Sequence, residues 1–168
     1  MIYQEEVTKI RELRCVVMGR EIVVVDLKPP TKELDILDWK AYDYKDLIIR
    51  ECEREDTLVK AIYKFMELSG LVFGSFDIAV DQAGRYVFFE INQQGQFLWI
   101  EECNPQIKLL DRMAKFLLNG GDQFVYEDNS SSVISYSTYL EANLWQQDCA
   151  FEAANHIAEQ VQPPRPDM

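Results

Sequence analysis

Asp77, Glu90 and Asn92 are the residues whose types and spacing most directly suggest chemistry. They fall within 70–96, GLVFGSFDIAVDQAGRYVFFEINQQGQ, which reads as two strands, 71–80 and 85–92, rich in Val, Ile, Phe and Tyr and joined by the turn Asp81-Gln82-Ala83-Gly84. Folding the chain about Gln82 and Ala83 places Asp77 across from Phe88 and diagonal to Glu90. The period of two then turns Asp77, Glu90 and Asn92 to one face. Diagonal neighbours lie roughly 7–8 Å apart at the backbone, a gap that two carboxylates can bridge through a shared cation. Leu71, Phe73, Ala79 and Phe88 are expected on the same face, and an unpaired carboxylate among such groups is costly. Mg²⁺, a hard cation with oxygen ligands at about 2.0–2.1 Å, would satisfy two carboxylates and an amide carbonyl together and leave positions for phosphate oxygens. The plainer reading has Asp77 capping an edge strand and Glu90 and Asn92 facing solvent. The joint pattern of Glu-x-Asn, a facing Asp and a Gly-containing exit favours the metal.

The elements around this hairpin follow from periodicity. A short strand is expected at 2–7, and a second hairpin at 10–17 and 21–27, turning at Gly19-Arg20. Pro29-Pro30 ends it, because two prolines cannot continue a ladder, and 32–49 reads as a long connection. Over 53–69 the residues Leu58, Ala61, Ile62, Phe65, Met66 and Leu68 recur mostly at spacings of three and four, with Gly70 just beyond, predicting an amphipathic helix. Asn104-Pro105 reads as an N-cap followed by proline at the first helical position. Ile107, Leu110, Met113, Ala114, Leu117 and Leu118 would form the buried stripe of that helix, and Gly120-Gly121 its stop. The predicted class is α+β, an antiparallel or mixed sheet with helices packed on one side. Residues 1–120 form the subdomain and 121–168 an acidic linker and C-terminal helix, placed at 137–161 with Leu140, Leu144, Trp145, Cys149, Ala153, Ile157 and Val161 inward.

Composition narrows the function. The chain has 168 residues and a formal charge of −12, with 17 basic residues against 29 acidic ones, too few for the basic stripe a nucleic acid requires. No apolar run approaches the ~20 residues that cross a bilayer, and the first residues lack the order of a signal peptide, so a cytoplasmic protein is expected, without membrane partner. Cys15, Cys52, Cys103 and Cys149 contain no Cys-x-x-Cys pair, which disfavours zinc and a disulfide framework. Cys15 and Cys149 read as buried small hydrophobes, and His156 has no nucleophile pattern beside it.

An Asp late in one strand, Glu-x-Asn closing the next and Gly-Gln beyond it resemble the metal-binding end of the ATP-grasp ligases. Phe-Gly-Ser-Phe-Asp at 73–77 and Phe-Glu-Ile-Asn-Gln-Gln-Gly-Gln-Phe-Leu-Trp-Ile-Glu at 89–101 are most similar to the peptide-macrocyclising maturases of the microviridin (graspetide) type. The ribosomal-protein glutamate ligases are more distant relatives. The resemblance covers about residues 2–120 and implies the C-terminal subdomain of the ATP-grasp fold, with Asp77, Glu90 and Asn92 holding Mg²⁺ or Mn²⁺. Gln4-Glu5-Glu6-Val7 resembles the family's hinge, which implies that Glu5, Glu6 and Val7 border adenine through backbone groups. Glu12-Leu13-Arg14 before Cys-Val-Val-Met-Gly resembles the strand whose arginine points at the nucleotide phosphates; the bland alternative is an arginine paired with a neighbouring acid. Leu-Asp-Trp-Lys at 37–40 is similar to the maturases' Asp-Trp-Arg, with Lys40 keeping the charge and losing bidentate geometry. The chain departs from the family where Asn92 is followed by Gln93-Gln94 in place of Pro or Ser.

By this resemblance the expected activity is ATP-dependent ligation. A carboxylate of a peptide or small-molecule substrate attacks the γ-phosphorus, and an amine or hydroxyl captures the acyl phosphate. The family's phosphate-binding lysines belong to an N-terminal half, whereas this sequence starts at the hinge. The missing half is expected from a longer chain or a partner chain, and these residues alone would be inactive. The contrasting expectation is a non-catalytic binding or regulatory module that keeps the half-fold.

Overall fold

The computed structural model describes residues 6–29, 43–128 and 134–142. β1 (Lys9–Met18) and β2 (Glu21–Lys28) form the first hairpin. Met18 pairs with Glu21 across a two-residue turn. Gly19 takes φ +61°, as the first central residue of a II′ turn requires. A Cβ there would lie 2.6 Å from the Gly121 carbonyl oxygen, so the turn is closed to larger residues by packing as well as by backbone conformation. β4 (Phe73–Asp81) and β5 (Tyr86–Asn92) form the second hairpin. β3 (Ile48–Glu51), preceded by a short 3₁₀ turn at Tyr44–Asp46, begins in the last residues of the stretch expected to be a plain connection. With four residues, one of them buried, β3 is too short to carry a legible alternation.

The five strands run in the order β3-β2-β1-β4-β5, and every neighbouring pair is antiparallel. Alternation sends the residues of β1 and β2 to two separate cores. Leu13, Cys15, Val17, Ile22 and Val24 pack with Leu58, Ile62 and Met66 of α1 (Asp56–Ser69). Val16, Met18, Val23, Val25 and Leu27 pack on the other face with Ile100 of α2 (Leu98–Cys103) and Leu109 and Phe116 of α3 (Leu109–Asn119). The antiparallel α+β expectation holds, with one difference in layering: the helices divide between the faces instead of gathering on one. Burial pushes the Cys15 thiol up to about 12, as suits an inert core residue.

Two helix expectations shift. α1 ends as expected at Gly70, φ +68°, but Leu68 points outward and is 76% exposed. Asn104 caps the end of α2 and does not begin α3. Its side chain donates to the Ile49 carbonyl and accepts from the Gln106 amide, so Asn104-Pro105 builds a turn between two helices. The later start of α3 changes its inward face: Leu109, Asp111 and Phe116 are buried, whereas Leu117 and Leu118 are 72% and 82% exposed. A buried aspartate in that stripe cannot be anticipated from hydrophobic periodicity.

Glu101 and Asp111 explain how the following segment is held. Glu101, 2% exposed, accepts from the backbone amides of Leu110 at 2.7 Å and Tyr136 at 2.8 Å, satisfying amide donors at the first turns of α3 and α4 (Tyr136–Glu141). Asp111 accepts from the Tyr126 hydroxyl at 2.7 Å and the Ile134 amide at 3.0 Å, and pairs with Lys115 at 2.8 Å. Burial pushes its carboxyl upward, but these bonds outweigh it and hold the group below its ordinary value. Of the C-terminal helix expected at 137–161, α4 occupies the beginning; the rest, with Cys149 and His156, lies outside the described residues.

Candidate functional site

The β4–β5 hairpin differs from the expected one by two local features that change which residues meet. Asp81 accepts at Oδ1 from the amides of Ala83 and Arg85, and Gly84 follows at φ +77°. The loop therefore contains Gln82, Ala83 and Gly84, one residue more than a two-residue turn, and Val80 pairs with Tyr86. These amide bonds, with help from the Arg85 side chain, hold the Asp81 carboxyl below its usual value despite desolvation. A second irregularity falls between Asp77 and Ile78: Ile78 pairs with Phe88 while Asp77 pairs with Glu90, leaving Phe89 as the extra residue of a β-bulge. Asp77 is thus directly opposite Glu90 and not diagonal to it, so their backbones are about 4.5–5.5 Å apart. Phe88 goes to the other face, where its ring lies 5.4 Å from Phe65 and 6.1 Å from Phe76, and Leu71 packs there too. The apolar crowd expected around the acids is accordingly smaller.

One row of the sheet runs Val25, Arg14, Asp77, Glu90, and the adjacent row Val23, Val16, Ser75, Asn92. Direct antiparallel partners share a face, so Arg14, Asp77, Glu90 and Asn92 lie on the same face of the sheet. Arg14 Nη1 lies 2.8 Å from Asp77 Oδ1, and both side chains are 7% exposed. The arginine does have an acidic partner, and that partner is itself one of the proposed ligands. Glu90 is exposed, and Asn92 is half-buried, accepting from the Gln94 amide at 2.9 Å and donating to Gln96 Oε1 at 3.3 Å. Ser75, fully buried beside Asn92, was legible as the residue two before Asp77 but carries no chemical signature alone.

No group of three or more His, Cys, Asp or Glu among the described residues is placed to hold a metal. The candidate set contains only two carboxylates, with an amide oxygen as its third donor. That all-oxygen set matches a hard divalent cation, and the direct pairing of Asp77 with Glu90 brings their backbones closer than the diagonal arrangement would. The residues fit a Mg²⁺-type ion with Arg14 competing for one oxygen of Asp77.

Glu6 and Val7 line a cavity of about 580 Å³ with Thr8, Asp81, Tyr86 and Val87. Val87 pairs with Ala79, two residues along β4 from Asp77, which sets this cavity wall about 7 Å along the strand from the carboxylates. Glu5 and Lys40 lie outside the described residues.

No family model matches the chain, nor does any curated protein. Solved structures do. Macrocyclase MdnC of Microcystis aeruginosa MRC, bound with precursor peptide MdnA, matches with a TM-score of 0.56 at 28% identity, over 70% of this chain and 36% of that one. Macrocyclase MdnB from the same organism matches with a TM-score of 0.53 at 26% identity, over 70% of this chain and 41% of the other. The chain is a relative of the ATP-grasp ligases. A RiPP-associated ATP-grasp ligase of Chryseobacterium gregarium, in complex with ADP and a leader and core peptide, shares the fold, with a TM-score of 0.59 at 23% identity over 69% of this chain and 35% of that one. This ATP-grasp relative therefore spans between about a third and two fifths of the length of the structures it matches. Among the described residues, no helix is long and apolar enough to cross a membrane.

Proposed function

We propose that this chain supplies the metal- and nucleotide-binding face of an ATP-dependent ligase that activates a carboxylate of a ribosomal peptide as an acyl phosphate for capture by an amine or hydroxyl. The observation that carries the reading is the single row of Arg14, Asp77 and Glu90 with Asn92 beside it, all on one face of the sheet. Asp77, Glu90 and Asn92 would hold Mg²⁺ or Mn²⁺. A divalent cation held by these residues would supply charge neutralisation for a transferred phosphoryl group. Arg14 would present its remaining donors to the phosphates while holding Asp77 in place, a double role for which a planar fork of five N–H groups is suited. The cavity at Glu6 and Val7 would take the base through backbone groups, with Glu5 beside them and Lys40 as a further cationic contact. A phosphate-binding half, contributed by the same or a second chain, would complete the cradle.

A second reading, a non-catalytic binding module, draws on the buried Arg14–Asp77 pair, which already neutralises Asp77. Calorimetric titration with ADP separates the two. Heat that requires Mg²⁺ and disappears in Asp77→Asn supports the ligase face; nucleotide binding indifferent to both Mg²⁺ and Asp77 favours the module.

A further inference from the structure

We infer that Gln96 is a positioning residue that fixes the side-chain amide of Asn92 for metal binding, an inference that rests on the reading of Asp77, Glu90 and Asn92 as a cation site. Gln96 is the one non-glycine residue with positive φ among the described residues, at +50°. Glycine adopts that conformation freely, whereas an L side chain adopts it under strain. A glutamine in a place that suits glycine points to a requirement for its side chain. That side chain makes a specific contact, in which Oε1 accepts from Asn92 Nδ2 at 3.3 Å. The amide of Gln94 donates to the opposite end of the same group, Asn92 Oδ1, at 2.9 Å. The Gln94 N–H, which can only donate, identifies which end of the Asn92 amide is oxygen, and the two bonds together resist its rotation about χ2, a torsion that is otherwise broad.

The loop that presents Gln96 is anchored independently of this bond. The Trp99 indole N–H donates to the Gln96 carbonyl at 2.9 Å, and the Gly95 amide donates to the Asn92 carbonyl at 3.3 Å. A Cβ on Gly95, φ +86°, would lie 2.8 Å from the Phe97 ring and 3.0 Å from that of Phe73, so the backbone sits tightly on two core aromatics. The backbone of 95–97 would therefore keep its course without the Gln96 side chain, and what would be lost is the orientation of Asn92. An amide carbonyl already turned the right way needs no ordering when a cation arrives, and removing a group that orients a metal ligand typically weakens affinity 10–100-fold.

The test follows free Mn²⁺ by electron paramagnetic resonance during titration of the 168-residue chain, alongside thermal unfolding of each variant. Gln96→Gly should melt no lower than wild type, since strain is relieved, yet bind Mn²⁺ about tenfold more weakly. Gln96→Glu, which retains an acceptor toward Asn92 Nδ2, should stay within about threefold of wild type. If Gln96→Gly binds as wild type does while Glu90→Gln loses Mn²⁺, the positioning role is wrong and the cation site stands. Equal weakening in Gln96→Gly and Gln96→Glu would also overturn it, since the acceptor would then be irrelevant. Wild-type binding no tighter than that of Glu90→Gln would remove the cation site and this inference together.

Discussion

At the level of single residues, Arg14 and Asp77 carry the sharpest consequence. Their contact at 2.8 Å is almost wholly excluded from water, and breaking a buried ion pair by removing one partner strands the other charge. Arg14→Met should cost on the order of 3 kcal/mol in urea unfolding. Arg14→Met with Asp77→Leu should recover part of that loss, because no stranded carboxylate remains. A double variant no more stable than Arg14→Met would mean that the pair is not what Arg14 contributes. The sequence placed Asp77, Glu90 and Asn92 on one face because period-two alternation is a local signal, and it tied Arg14 to them only through the resemblance of a short motif. It could not reveal that Arg14 and Asp77 are partners: their contact requires β1 to lie beside β4, a pairing of residues 63 positions apart.

Among the elements, the hairpins and α1 were legible, and two small backbone events were not. A third loop residue and the bulge at Phe89 each shift the β4–β5 register, and neither leaves a hydrophobic signature. The expected start of α3 at Asn104-Pro105 differs from the observed one because Asn-Pro begins a helix as readily as it makes a turn, and the choice here rests on the long-range bond from Asn104 to Ile49. The buried carboxylates of α2 and α3 lead to two expectations. Glu101→Ala leaves the Leu110 and Tyr136 amides without their acceptor and should lower stability by about 2 kcal/mol, read by thermal or urea unfolding. Asp111 has a folded pKa below its unfolded one, so its contribution is fully present above about pH 4 and is lost as pH falls through the lower folded value. Melting temperature measured from pH 6 to pH 2 should fall less steeply at the acid end in Asp111→Asn than in wild type. Parallel curves would show that Asp111 is not linked to folding.

For the whole molecule, the apolar core under α2 and α3 draws on β1 and β2, with Phe73 at its margin, whereas β4 and β5 bring charged and amide groups to the same face. That division leaves an arginine, two carboxylates and an amide in register on the sheet, in a chain that spans about a third to two fifths of the length of the matched ligases. On this account Mg-ADP binds the chain weakly, since the chain spans only that share of the matched ligases, and a submicromolar dissociation constant would contradict it. Weak binding remains measurable, because ligand at ten times Kd stabilises the folded state by about 1.4 kcal/mol. The most direct measurement is thermal unfolding of wild type and Glu90→Gln, each with and without millimolar Mg-ADP. Wild type should melt higher with the ligand. Glu90→Gln should melt close to wild type without ligand, since Glu90 is exposed and Arg14 already neutralises the facing Asp77, and should gain little when ligand is added. A Glu90→Gln protein that melts lower and still shows the full ligand-induced rise would contradict the metal-binding face.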